Sequence, residues 1–127
     1  MKRIETDRAP GAIGPYSQAV ISGGFVFTSG QIPLSPETGQ VICCDITGQA
    51  TQVCENIRAV LEAAGSGLDR VVKTTCFLAD IQDFSDFNAV YATYFTGRPA
   101  RSCLAVRDLP RGVLCEIEAV AEIGDES

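Results

Sequence analysis

Residues 113–123 read Val-Leu-Cys-Glu-Ile-Glu-Ala-Val-Ala-Glu-Ile. Cys115, Ile117, Ala119, Ala121 and Ile123 alternate with Leu114, Glu116, Glu118, Val120 and Glu122. A period of two predicts a strand with one apolar and one largely acidic face, so Glu116 projects away from the core. Upstream, Asp108-Leu109-Pro110-Arg111-Gly112 supplies turn residues, and 102–106 (Ser-Cys-Leu-Ala-Val) is extended in character. Together these predict two neighbouring strands joined by a short hairpin. The pairing brings Pro99-Ala100-Arg101-Ser102-Cys103 close to Glu116, and so a guanidinium, a thiol and a carboxylate to one place. Two readings follow: a cross-strand ion pair, or a small anion gripped by Arg101 while Glu116 handles a proton or a water.

The rest of the chain predicts a mixed α+β domain. Tyr16–Ile21 and Phe25–Gly30 read as a hairpin around Ser22-Gly23-Gly24. Gly30, at a strand end, predicts either a simple bulge or a peptide presented closely to a ligand. From Asp45 the period changes: Ile46, Ala50, Val53, Cys54, Ile57, Val60, Leu61 and Ala64 make one helical stripe, with Asp45 as N-cap and Gly65 as stop. Gly48 is read as an interior cost to this helix. Arg70–Ala79 is a strand rich in branched residues, and a second helix near Phe84–Phe95 carries the aromatic stripe Phe84, Phe87, Tyr91, Tyr94 and Phe95. Asn88 borders that stripe and reads as a satisfied structural amide or a ligand contact. Two helices cover one face of such a sheet, and the bare face predicts an oligomer.

Composition narrows the chemistry. A chain of 127 residues with 46% hydrophobic content suits one domain, 1–127. Ten basic against sixteen acidic residues give a net charge of -6, which disfavours phosphate backbones and anionic membranes. No apolar run approaches a membrane span and the start lacks the apolar core of a signal peptide, so a cytoplasmic protein is expected. The six cysteines (43, 44, 54, 76, 103 and 115) read as reduced thiols, with the adjacent Cys43-Cys44 near a strand end. With no histidine and no Cys-x-x-Cys, neither a zinc site nor a histidine-based nucleophile is expected. No Gly-x-Gly-x-x-Gly or Gly-Lys-Ser/Thr loop is present to cradle phosphates.

Several motifs, in order, resemble the RidA (YjgF) family of enamine/imine deaminases nearly end to end. They are Ala12-Ile13-Gly14-Pro15-Tyr16-Ser17-Gln18-Ala19, Thr28-Ser29-Gly30-Gln31-Ile32-Pro33, Val72-Lys73-Thr74-Thr75, Asp83-Phe84 through Asn88 and Tyr91, Pro99–Cys103, and Glu116–Ala119. The resemblance implies a chorismate-mutase-like α+β fold, with a mixed sheet, two helices on one face, and a homotrimer built around a central β-barrel with clefts between subunits. It implies hydrolysis of 2-aminoacrylate and 2-aminocrotonate to 2-oxo acids and ammonia, with no cofactor and no metal. Arg101 matches the arginine that binds substrate carboxylate, and Glu116 the glutamate that positions or activates water. Tyr16, Ser29, Gly30, Asn88 and Cys103 match further substrate-binding positions, Cys103 more through its backbone than its sulfur. The segment Phe95–Pro99 is shorter than in many relatives and carries Arg98 where an aromatic is frequent, which implies a wider or more basic rim. Two other readings stay open: a trimer that binds small carboxylic acids without chemistry, and an endoribonuclease or translation inhibitor, which the acidic charge disfavours.

Overall fold

The computed structural model describes residues 1–42 and 45–124. Cys43 and Cys44, and the reading of a strand end there, lie outside the described residues. Six strands form one mixed sheet: β1 (Lys2–Ile4), β2 (Ala19–Ser22), β3 (Phe25–Thr28), β4 (Val71–Leu78), β5 (Ala100–Ala105) and β6 (Cys115–Glu122), in the spatial order β1-β2-β3-β6-β4-β5. Helices α1 (Ile46–Ala63) and α2 (Phe84–Tyr94) connect β3 to β4 and β4 to β5. Among the described residues no helix is long and apolar enough to cross a membrane.

Helix α1 starts where the sequence period changes. The Asp45 carboxylate accepts from the Gly48 N–H at 2.8 Å, satisfying one of the open donors of the first turn. Gly48 therefore serves the cap instead of weakening the middle of the helix. Gly65 ends it with φ 83, a conformation that glycine adopts without strain. The stripe Val53, Cys54, Ile57, Val60 and Leu61 is fully buried against the sheet. In α2, Phe87, Tyr91 and Phe95 are buried as expected, whereas Phe84 and Tyr94 are only partly so. Tyr94 instead donates its hydroxyl to Glu55 on α1 at 2.7 Å. All four described cysteines are free thiols.

The predicted β5–β6 hairpin does not form. Strand β4 lies between them, parallel to β5 and antiparallel to β6. The α2 crossover returns the chain parallel to β4 on one side, leaving only the other side of β4 for β6. The first strand was also not anticipated: Lys2–Ile4 pairs with β2 as a three-residue edge. Tyr16, read as part of a strand, precedes β2 in a loop.

Register assigns each side chain to a face. Thr74 is opposite both Arg101 and Ala119, and Cys76 is opposite both Cys103 and Ile117. Arg101 and Cys103 therefore share the helix-covered face with the buried Thr74, Cys76, Ile117 and Ala119. Phe77 is opposite both Leu104 and Glu116, so Glu116 stands on the other face. Among the described residues that second face carries no helix, and it leaves Phe25, Phe27 and Leu104 exposed beside Glu118 and Glu122. Bulky apolar side chains gathered on one face and open to water are the kind of surface that association covers.

One buried contact ties α2 to the sheet beneath Arg101: the hydroxyls of Thr74 and Tyr91 lie 2.7 Å apart, with Thr74 wholly buried. Thr74→Val is isosteric and leaves the Tyr91 hydroxyl unpaired. The expected loss in urea unfolding is about 1–2 kcal/mol. Thr74→Val with Tyr91→Phe, which removes both polar groups, is expected to recover most of it. Equal midpoints for wild type and Thr74→Val would show that the hydroxyl pair does not stabilise this junction.

Candidate functional site

The candidate residues fall into two groups on opposite faces of the sheet. The first gathers Arg101, Asn88 and Cys103 at the α2 edge. The Arg101 guanidinium donates to Asn88 Oδ1 at 2.6 Å and lies over the rings of Tyr91 and Phe84, 4.7 and 5.5 Å from their centres. Helical spacing makes this seat: Phe84, Asn88 and Tyr91 succeed one another on one side of α2. The amide thus holds the arginine, a role that spacing alone left undecided. Among the described residues Arg101 makes no ion pair. The planar fork has five N–H donors, and its remaining ones suit a carboxylate in bidentate geometry. Cys103 is half-buried, and burial pushes its thiol up despite the opposing pull of Arg101. A raised thiol is a poor nucleophile at neutral pH.

The second group surrounds Glu116. Tyr16, Ser29, Gly30 and Glu116 line one cavity of about 530 Å³ together with Ile13, Ile32, Pro110 and Arg111. Its floor is a bulge. Phe27 is opposite Val120 and Gln31 opposite Ile117, so four steps on one strand meet three on the other. Gln31 rejoins the ladder through its N–H to the Ile117 carbonyl at 2.8 Å, and the Thr28 hydroxyl accepts from the Ala119 N–H at 3.0 Å. The bulge reading of Gly30 therefore holds, and the bulge presents its bare backbone to Glu116. A Cβ there would overlap Oε2 of Glu116 and lie 2.9 Å from its carboxyl carbon. Ser29 is fixed by its N–H to the Gln18 carbonyl at 2.8 Å and by its hydroxyl, which donates to the Ser17 carbonyl. Tyr16 is 53% exposed and accepts from the Ile13 N–H at 3.4 Å. Burial raises the Glu116 carboxyl above its ordinary value, and the neighbouring charge of Glu118 adds to the rise.

The structure thus corrects the expectation that Arg101 and Glu116 meet within one chain. They are two strands apart, three residues out of register and on opposite faces. Strand spacing places their Cα atoms roughly 14 Å apart. The cross-strand ion pair is excluded on the same grounds. Arg98, expected at the rim, lies on neither group: it is exposed and turns the chain with φ 55 before β5. Two residues of the site region had no reading from the sequence. Arg111 was read only as part of a turn, and Gln18 only as part of a motif. Gln18 is buried, and its amide donates to the carbonyls of Thr6 at 3.0 Å and Pro10 at 2.8 Å, which binds the segment before Tyr16 to β2. A lone amide within an apolar run was the available signal.

Comparisons place this geometry among known proteins. The chain is 48% identical over 124 residues to the 2-iminobutanoate/2-iminopropanoate deaminase of Escherichia coli K12, covering 94% of this chain and 96% of that one. It is 51% identical over 124 residues to a protein of Lactococcus lactis named putative regulator AldR, covering 97% and 98%. Among solved structures, Escherichia coli TdcF with bound serine superposes with a TM-score of 0.92 at 47% identity, covering 98% of this chain and 100% of that one. The sequence profile of the family described as Endoribonuclease L-PSP matches residues 6–123. Match and motifs agree, and the chain belongs to this family, the YjgF/RidA group.

Proposed function

We propose that the chain, as one domain spanning 1–127, is a cytoplasmic hydrolase of reactive 2-imino acids. Its substrates would be 2-aminoacrylate and 2-aminocrotonate, released to water as their imines and converted to 2-oxo acids and ammonia. The observation that carries this reading is the Arg101 guanidinium, held ready by Asn88 and two aromatic rings and ion-paired to no carboxylate among the described residues. The name of the Escherichia coli relative, a deaminase of 2-imino acids, supports it.

The chemistry asks for little beyond these groups. Arg101 holds the substrate carboxylate in a fork that lysine reproduces poorly. The iminium carbon is already electrophilic, so a water held by Glu116 adds to it as the carboxylate takes the proton. Returning that proton to nitrogen makes it a leaving group, and as the C–N bond breaks the adduct's hydroxyl proton passes by way of Glu116 to the departing ammonia, leaving the 2-oxo acid. Iminium and water are consumed, 2-oxo acid and ammonium leave, and Glu116 ends as it began. Cys103 contributes backbone groups beside the substrate, while Tyr16, Ser29 and Gly30 line the cleft.

On this reading Arg101 and Glu116 come from different copies, which their separation by one sheet within a chain supports. A homotrimer whose uncovered faces close into a central barrel supplies such clefts, and the exposed Phe25, Phe27 and Leu104 are its expected contacts. A second reading has one observation in its favour: the Lactococcus lactis relative is named a regulator. In that case the cleft would bind small acids and report on them without chemistry.

Ammonia release from an imine generated in place by a dehydratase separates the two. Acceleration proportional to protein concentration is expected, and binding of 2-oxo acids with no acceleration would reject the enzyme. The pH profile adds a sign. Glu116 must be ionised to accept a proton, so kcat/KM is expected to stay level above its raised pKa and to fall as pH drops through it. The midpoint should lie above the 4.5 of an ordinary glutamate. A limb at or below 4.5 would assign proton transfer to another group.

A further inference from the structure

We infer that Arg111 sets substrate range, by holding a second carboxylate at the far end of a dicarboxylic 2-imino acid. The inference rests on the imine reading and deepens it. In the single chain the Glu116 cavity measures about 530 Å³, before any part of a neighbouring copy enters it. Cavities of roughly 300–1,000 Å³ suit drug-sized ligands. Its lining combines the apolar Ile13, Ile32 and Pro110 with polar groups that include Ser29 and Glu116, and among the described residues its one cation is Arg111.

The backbone there is unusual. Arg111 has φ 58 and ψ 19, a left-handed conformation uncommon for a residue with a Cβ, between Pro110 and a Gly112 at φ 67. Such outliers persist where the surrounding structure holds them, and they concentrate at ligand sites. The turn sends the side chain to another loop, where its guanidinium donates to the Gly39 carbonyl at 2.9 Å, 72 residues away in sequence. Among the described residues Arg111 makes no ion pair, although Asp108 is near in sequence; Asp108 lies 3.8 Å from Arg107 instead. Nor is Glu116, in the same cavity, its partner. A tethered guanidinium with donors to spare therefore lines the cavity that holds Glu116, and on the proposed assembly Arg101 of a neighbouring copy enters the same cleft. A substrate with an acid group at each end would span the two, leaving its imine carbon near Glu116. Short aliphatic imines would leave Arg111 idle.

Calorimetry on the full-length oligomer tests this with 2-oxoglutarate and 2-oxohexanoate, which differ chiefly in the distal carboxylate. Wild type is expected to bind 2-oxoglutarate at least about tenfold more tightly. Arg111→Gln retains a donor for the Gly39 carbonyl and is expected to erase the preference, while Arg111→Glu inverts it. An unchanged preference in Arg111→Gln, or none in wild type, overturns the inference. Turnover of imines made in place by oxidising glutamate and norleucine is expected to follow the same order. If binding follows Arg111 but neither imine is hydrolysed faster, the imine reading falls and the assignment of Arg111 stands.

Discussion

Arg101→Ala is expected to lower kcat/KM for 2-aminoacrylate hydrolysis about 100- to 1,000-fold, the loss of two charge-assisted hydrogen bonds to a carboxylate. Most of the effect should appear in KM if the fork binds substrate and transition state alike. The fold should survive. The guanidinium is half-buried over Tyr91 and Phe84 and bonded to Asn88, so truncation forfeits a stacking contact and leaves the Asn88 oxygen at a partly wet edge. That costs on the order of 1 kcal/mol. Arg101→Lys separates charge from geometry, since a point charge cannot make two parallel bonds, and it should recover little of the loss. Thermal melts within a few degrees of wild type, together with lost turnover, would assign Arg101 to substrate. Full turnover in Arg101→Ala would leave it a structural partner of Asn88.

Glu116→Ala is expected to lower kcat about 100- to 10,000-fold, the range for removing a positioned proton carrier. Its signature should differ from that of Arg101. KM changes little, because the carboxylate is not what holds the acid group, and the acid limb of the pH profile disappears with the side chain. A desolvated carboxylate is costly to keep charged, so its removal should not harm stability. An Glu116→Ala enzyme with wild-type kcat would transfer the role to another group lining the cleft.

Much of this could be read from residues alone, for reasons that particular elements make plain. Helix α1 was legible because its N-cap, stripe and glycine stop each act through neighbours only a few residues away. Strand β6 was legible because a period of two with buried Ile117 and half-exposed Glu116 leaves no other face assignment. Its partner was not legible. The turn at 108–112 fits a hairpin locally, yet pairing is decided by which edge of β4 the α2 crossover has left open. β1 escaped notice since two of its three residues are exposed and its pairing is set from β2. The motifs named residues of both groups, but nothing local to Arg101 or Glu116 records that a sheet stands between them. That separation depends on the insertion of β4, a long-range fact, and it divides a presumed intrachain cluster into two groups, which the proposed function brings together from different copies.

Co-assembly of two inactive variants tests this most directly. Arg101→Ala and Glu116→Ala chains, unfolded together in equal amounts and refolded as mixed oligomers, should regain activity, because a cleft formed by an intact Glu116 chain and an intact Arg101 chain is whole. If each cleft draws one residue from each of two copies, about a quarter of the clefts are intact and turnover should return to about a quarter of wild type. Each variant refolded alone should stay inactive. Mixed oligomers that form and remain as inactive as their parents would place Arg101 and Glu116 of one chain in the same site, against the geometry of the sheet.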